Sequence, residues 1–322
     1  MKKKDNYCAL IDIGGTYTKL KVISFKKNKY KLFLKRKEII KSKEEIYNFF
    51  KKYFKDFFPL DLCIFSIAGP VLDKNKGFLT NWEGKPEINF LKIKKEFKIK
   101  KICLLNDMEA QGYGLLSLKK KGLLYKKAKI LYGNLKKLKD GNMALIVPGT
   151  GLGSAFIDLK GNVFSSELQH SIYNPKNENY IKENFKSYES FVSGEGLFEI
   201  FSNLKNLKKR NIKDKGDYVR KLAEKNDRKA IEAMNLYFYA LGAFAQAMAL
   251  AFKPIGGIFF SGKPLKRNFK FFKNTQFLKV FLENPKQKKL LKKIPLFFID
   301  HDFVFEGLIY FLKISLFNRV NL

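Results

Sequence analysis

Tyr7-Cys8-Ala9-Leu10-Ile11-Asp12-Ile13-Gly14-Gly15-Thr16 reads as an apolar strand that ends beside a carboxylate and then enters a glycine turn. A second strand, Lys19 to Phe25, follows at once, and Lys31 to Ile40 alternates like a third. Strand, glycine turn, strand describes a hairpin. A dinucleotide or Walker-type loop would lead from the strand into a helix instead. The same order returns later as Met143 to Val147, Pro148-Gly149-Thr150-Gly151-Leu152-Gly153 and Ser154 to Leu159. The hairpin pattern therefore occurs twice. A length of 322 residues allows two domains and a substantial core.

Between and beyond the hairpins the pattern alternates between strands and helices. Glu44 to Phe58 has helical spacing, and Leu60 to Ala68 is a buried strand broken by Gly69-Pro70. Leu79 to Trp82 reads as a short strand ending in Asn81. Phe90 to Phe97 is a helix, Lys101 to Leu105 a strand, and Met108 to Leu118 a helix. Leu123 to Asp140 reads as a lysine-rich surface connector, and residues 178 to 251 as mostly helical. Within them, uncharged Tyr237 to Phe252 falls short of the ~20 residues that span a bilayer. Its alanines predict a buried helix packed closely between layers. Gly256 to Ser261 is a strand closed by Gly262, Ile294 to Ile299 is the last strand, and Phe303 to Leu316 is a closing helix capped by Asp302.

The formal net charge of +34 raises nucleic acid or an anionic surface as a partner. Only six of the 64 basic residues are Arg, the residue favoured for bidentate phosphate and base-edge contacts. Lysine is spread from Lys2 to Lys313 with no confined basic arm, so no specific nucleic-acid role is expected. Cys8, Cys63 and Cys103 lie singly in apolar runs and form no CxxC pair, which predicts buried thiols and a reducing cytoplasm. The short apolar run after the basic start is broken by Asp12, so no signal peptide and no membrane span are expected.

Leu104-Leu105-Asn106-Asp107 delivers an amide and a carboxylate to the end of a buried strand. Such groups are costly to hide, and strand ends of α/β sheets are where ligands sit. Asp107 is the candidate general base on a hydroxyl, with Asn106 holding the same substrate. The plainer reading is a helix cap. The two glycine turns suggest backbone clamps on one polyphosphate, with N–H groups aimed at phosphate oxygens and hydroxyls from Thr16 and Thr150. Asp12 is placed to hold a hydrated Mg²⁺, and Lys19 adds charge.

Together these pieces resemble the bacterial-type glucokinase family of the actin-like ATPase superfamily. The motifs recur in the same order: Asp12-Ile-Gly-Gly-Thr16, Ala68-Gly69-Pro70-Val71, Leu79-Thr80-Asn81-Trp82, Leu105-Asn106-Asp107 and Gly149-Thr150-Gly151-Leu152-Gly153. Ser193-Gly194, Gly256-Gly257, Ser261-Gly262 and His301-Asp302 complete the set. The resemblance implies a two-domain actin-like ATPase (ribonuclease H-like) α/β fold around an interdomain cleft. A small domain would comprise 1–116 with 303–322, and a large one 117–302. It implies ATP-dependent phosphorylation of glucose at the 6-hydroxyl, with Asp107 as base and Mg²⁺ held at Asp12 through water. Asp12, Gly14, Gly15, Thr16, Gly149, Thr150 and Gly151 would clamp the phosphates. Gly256, Gly257, Ser261 and Gly262 would lie by the adenosine. Asn81, Asn106, Asp107, Glu167, His170 and Glu189 would hold the sugar, the Glu167 and His170 pair as the family's Glu-x-x-His. His301 is read as structural.

Two departures stand out. Ser165-Ser166 precede Glu167 where the family usually has glycine, and Lys263 follows Gly262 where it commonly has a second one. The first motivates an alternative, a kinase for another hexose or an amino sugar. A non-catalytic sugar sensor on the same fold is a second, different class. No cysteine-rich zinc motif is present. The sequence leaves a homodimer open.

Overall fold

The computed structural model describes residues 6–26, 29–73, 75–80, 82–135, 139–174, 186–207, 212–273 and 275–317. Asn81 and the first part of the helical stretch expected from residue 178 lie outside the described residues. The chain forms two compact units, Met1–Lys120 with Asp302–Leu322, and Lys121–His301.

In the first unit β1 (Tyr7–Ile13), β2 (Thr18–Lys26) and β3 (Lys29–Glu38) form an antiparallel meander. After Tyr7 every β1 residue is buried, because the sheet is covered on both faces. Ala9, Ile11 and Ile13 pack in one core with α1 (Lys43–Phe54), whose Ser42 hydroxyl accepts the Glu45 N–H. β4 (Leu62–Ile67) lies parallel to β1. β5 (Val71–Asp73), β6 (Lys76–Phe78) and β7 (Glu87–Asn89) make a small antiparallel sheet. It leads into α2 (Phe90–Glu96), β8 (Lys101–Asn106) and α3 (Asp107–Lys120). The main sheet has the order β3-β2-β1-β4-β8. Phe50, Phe54, Phe65 and Phe90 are fully buried in the α1 core. At roughly 2–3 kcal/mol of burial each, these rings are the main force holding α1 and α2 to the sheet.

Of the strand expected at Leu79 to Trp82, the described residues Leu79, Thr80 and Trp82 lie outside any strand, and the strand precedes them at Lys76–Phe78. The Trp82 N–H donates to Leu79 O, and the chain reverses at Gly84 (φ +70°). Leu79 and Trp82 are apolar because they fill the core, 1% and 4% exposed, not because the chain is extended there.

The second unit begins with α4 (Leu124–Lys127) and β9 (Lys129–Tyr132). The stretch read as a surface connector therefore carries an edge strand, paired antiparallel with the last strand of its sheet. Its lysines are what edge strands use to discourage further pairing. β10 (Met143–Pro148), β11 (Leu152–Ile157) and β12 (Val163–Ser166) form the second antiparallel meander. Helices α5 (Tyr188–Phe191), α6 (Gly194–Leu204), α7 (Lys215–Glu224) and α8 (Arg228–Phe252) follow. β13 (Ile258–Phe260), α9 (Lys263–Arg267), α10 (Phe269–Lys273), α11 (Phe277–Leu282), α12 (Lys288–Leu291) and β14 (Leu296–Phe298) complete the unit. The sheet order is β12-β11-β10-β13-β14-β9. Its first five strands repeat the first unit's plan, so the duplication seen in the hairpins extends to both sheets. α13 (Phe303–Phe317) returns to the first unit and packs with α3.

α8 starts well before the uncharged run, at a cap where Asp227 accepts the Lys229 and Ala230 N–H groups. By length and composition this 25-residue helix is able to cross a membrane. Here Ala230, Ala233, Ala240, Ala245 and Ala249, with Phe238 and Phe244, are core residues. A side chain at Gly242 would meet Phe277 O at 2.5 Å, so α11 lies directly against its backbone.

Candidate active site

β1, β4 and β8 run parallel in the first unit, and their register sets Ile13, Ile67 and Asn106 in one row at their C-terminal ends. Gly14-Gly15, Ala68-Gly69 and Asp107 follow that row directly, where open α/β sheets present ligands. One residue earlier Asp12 lies beside Ser66. Asp12 is 5% exposed. Its Oδ2 takes the Lys19 ammonium at 2.9 Å, and its Oδ1 accepts the Ser66 hydroxyl at 3.4 Å. Burial pushes the Asp12 carboxyl up, and the Lys19 charge pulls it back only in part. For Lys19, burial alone would lower the ammonium, but Asp12 raises it above its ordinary value. Asp302 Oδ2 stands 4.0 Å from the same ammonium.

The cap of α3 is Asn106. Its Oδ1 accepts the Met108 N–H at 2.8 Å, and its own N–H donates to Glu109 Oε2 at 3.1 Å. This reciprocal arrangement satisfies two donors at the helix start. Nδ2 donates to Gly69 O at 3.0 Å, tying the strand end to the neighbouring loop. Thr80 holds that loop from the other side by donating to Ala68 O at 3.1 Å. With capping assigned to Asn106, Asp107 begins α3 as its first residue, at the helix end that favours negative charge.

The two glycine turns close differently. β1 and β2 are joined by residues 14–17, closed by the Gly14 N–H on Tyr17 O at 3.1 Å. β10 and β11 are joined by residues 149–151, closed by the Gly149 N–H on Gly151 O at 2.7 Å. The Leu152 N–H then donates to Glu189 Oε2 at 2.7 Å.

Glu189 also belongs to the predicted sugar cluster. His170 Nδ1 stands 3.8 Å from Glu189 Oε1, and His170 Nε2 stands 3.4 Å from Glu167 Oε2. The short 3₁₀ turn Leu168–His170 carries the imidazole, and the capping box of Ser187 with Ser190 starts the turn that carries Glu189. A bridge between Ile172 and Ser187 joins the two. Burial raises the Glu167 carboxyl; His170 opposes that and Glu189 adds to it. Gln169 was not singled out in the sequence, yet it is buried and positions the cluster. It donates to Glu167 Oε2 at 2.8 Å and accepts the Ser154 hydroxyl at 3.4 Å. Its place inside Glu-x-x-His was the available signal.

The four residues expected by the adenosine are parted. The Ser261 N–H donates to Ile146 O at 3.1 Å, and a side chain on Gly262 would meet Pro148 O at 2.5 Å, so both stand by the second glycine turn. Gly256 and Gly257 sit at the other end of β13, Gly256 against Gly141 and Asn142 where β10 begins and Gly257, at φ +116°, against the Phe297 ring. The three residues of β13 alone separate the pairs by roughly 10 Å. Gly256 admits the close approach of the Gly141 backbone, and Gly257 that of the Phe297 ring. Among the described residues no three His, Cys, Asp or Glu side chains gather as a metal site. One or two carboxylates with substrate phosphates are what Mg²⁺ uses, and Asp12 meets that requirement.

The chain matches the family model described as Glucokinase over residues 10–311. A glucokinase of Nostoc sp. is 29% identical, covering 89% of this chain and 93% of its own length. One from Nostoc punctiforme is 30% identical, covering 73% and 76%. Among solved structures, glucokinase from Balamuthia mandrillaris in complex with glucose has a TM-score of 0.77 at 22% identity, covering 95% of this chain and 93% of that one. A ROK family glucokinase from Streptomyces griseus in complex with glucose and AMPPNP has a TM-score of 0.62 at 16% identity, covering 95% and 97%. At such identities the structures establish a shared mixed α/β fold. The match to the family model spans most of the sequence, and the chain belongs to the glucokinase family.

Proposed function

We propose that this chain transfers the γ-phosphoryl group of ATP to the 6-hydroxyl of glucose. The observation that carries the reading is the meeting of Glu167, His170 and Glu189 beside the second glycine turn, within a chain of the glucokinase family. Sugar hydroxyls both donate and accept, and two carboxylates with an imidazole suit them. Asp107 accepts the hydroxyl proton as the oxygen attacks. Asn106 supports Asp107 by fixing the start of α3, and its remaining amide hydrogen is free for the sugar. Gly14, Gly15 and Thr16 on one turn and Thr150 with Gly151 on the other hold the phosphates, with Ser261 and Gly262 on the nucleotide side. Mg²⁺ at Asp12, through water, neutralises phosphate charge. In this proposal the enzyme works in the reducing cytoplasm, its three cysteines unpaired and buried.

The test is ADP release from Mg·ATP across a panel of hexoses, with Asp107→Ala as control. Glucose-dependent turnover that the variant lacks supports the proposal. Turnover with another hexose or an amino sugar keeps the mechanism and moves the substrate, the alternative favoured by Ser165 and Ser166. Sugar binding without turnover from a folded protein points to a sensor.

A further inference from the structure

We infer that Glu189 is a positioning residue that couples hexose binding to the shape of the second phosphate turn; the inference rests on the function proposed above. Its two carboxylate oxygens have separate tasks. Oε2 accepts the Leu152 N–H at 2.7 Å, at the point where the turn becomes β11. Oε1 faces His170, which in turn faces Glu167. One side chain therefore touches both the sugar cluster and the backbone of the phosphate turn.

Gly151 shows that the contact is built into the turn. A Cβ there would lie 2.3 Å from Glu189 Oε2 and 3.0 Å from its Cδ. Its backbone is outside the left-handed region, so glycine is needed at this position for room and not for conformation. The platform under Glu189 is stiff. Tyr188 stacks on Tyr173 at 4.4 Å, and Ser187 and Ser190 cap each other. A Cβ on Gly196 would meet Ser190 O at 2.0 Å, so α6 abuts α5 directly. A hexose that draws on Oε1 or His170 thus shifts a carboxylate whose other oxygen holds the turn. By linkage, a change in the turn must alter hexose affinity equally.

Gly151→Ala tests this. It adds one methyl group whose three nearest neighbours are all atoms of the Glu189 carboxylate. Hexose is titrated calorimetrically into wild type and variant without nucleotide. The expected result is a hexose Kd raised about tenfold in the variant, the usual scale for a lost charge-assisted hydrogen bond. Unchanged hexose affinity in a folded variant overturns the coupling. If wild type itself binds no hexose, the proposed function fails first and the coupling falls with it. Should Gly151→Ala not fold, Glu189→Gln decides. KM values for ATP and hexose rising together support the coupling, and a rise in the hexose KM alone overturns it.

Discussion

Lys19 reaches across one rung of the β1–β2 ladder and sets its ammonium 2.9 Å from the Asp12 carboxylate. Asp12 is buried, so removing the cation leaves a charge without its partner. Lys19→Met is expected to cost about 2 kcal/mol at pH 7, below the usual figure for a buried pair because Lys19 keeps 31% of its side-chain exposure. The loss has a predicted pH dependence. Burial raises the Asp12 carboxyl in the folded state, and loss of Lys19 raises it further. Stability is then retained below the unfolded value and lost as pH rises through the folded one. Urea melts from pH 4 upward should show the gap to wild type widening. A constant gap would refute the assignment.

Asp107→Ala should lower kcat by about 10² or more, the common contribution of a general base, with little change in melting temperature. Asp107 is the first residue of α3, where the helix dipole favours its charge by about 0.5 kcal/mol. ADP release and thermal melts on the same preparation separate the two effects.

Asn106 offers a sharper dissection. Asn106→Asp keeps an acceptor for the Met108 N–H but replaces the donor to Gly69 O with a second acceptor. Asn106→Ala loses both bonds and should cost about 1–2 kcal/mol. The Asp variant should melt closer to wild type than the Ala variant, yet lose turnover because the Gly69 loop is no longer held. Wild-type kcat in Asn106→Asp would show that the loop tether is dispensable.

Gly262 has φ +111°, and a side chain there would meet Pro148 O at 2.5 Å. Gly262→Ala should therefore push on the second glycine turn, with about 1–3 kcal/mol of strain. Steady-state kinetics should show the KM for ATP rising more than that for hexose. The reverse order would move this residue out of the nucleotide site.

The cysteines give a test of burial. Burial pushes the Cys8 thiol up to about 12 and raises the Cys63 thiol well above its ordinary value. Native protein should react with a disulfide reagent orders of magnitude more slowly than unfolded protein, since only the thiolate attacks. Rapid native labelling would mean that the first unit opens readily.

Much was legible in the residues alone. The apolar runs ending in glycine turns announced two hairpins, because a strand buried on both faces must be apolar throughout and its exit needs a tight turn. The amide and carboxylate after Leu105 announced a strand end that something must use. Tertiary structure decided what local pattern does not encode. Leu79 and Trp82 are apolar outside a strand as readily as within one, since burial sets hydrophobicity whatever the backbone does. Lys129–Tyr132 became a strand because β14 offered an open edge. Gly256-Gly257 and Ser261-Gly262 look alike on paper, yet the length of β13 sends only the second pair to the turn. The link from Glu189 to the Leu152 N–H joins residues far apart in the chain, and only the packing of α5 against the turn brings them within 2.7 Å.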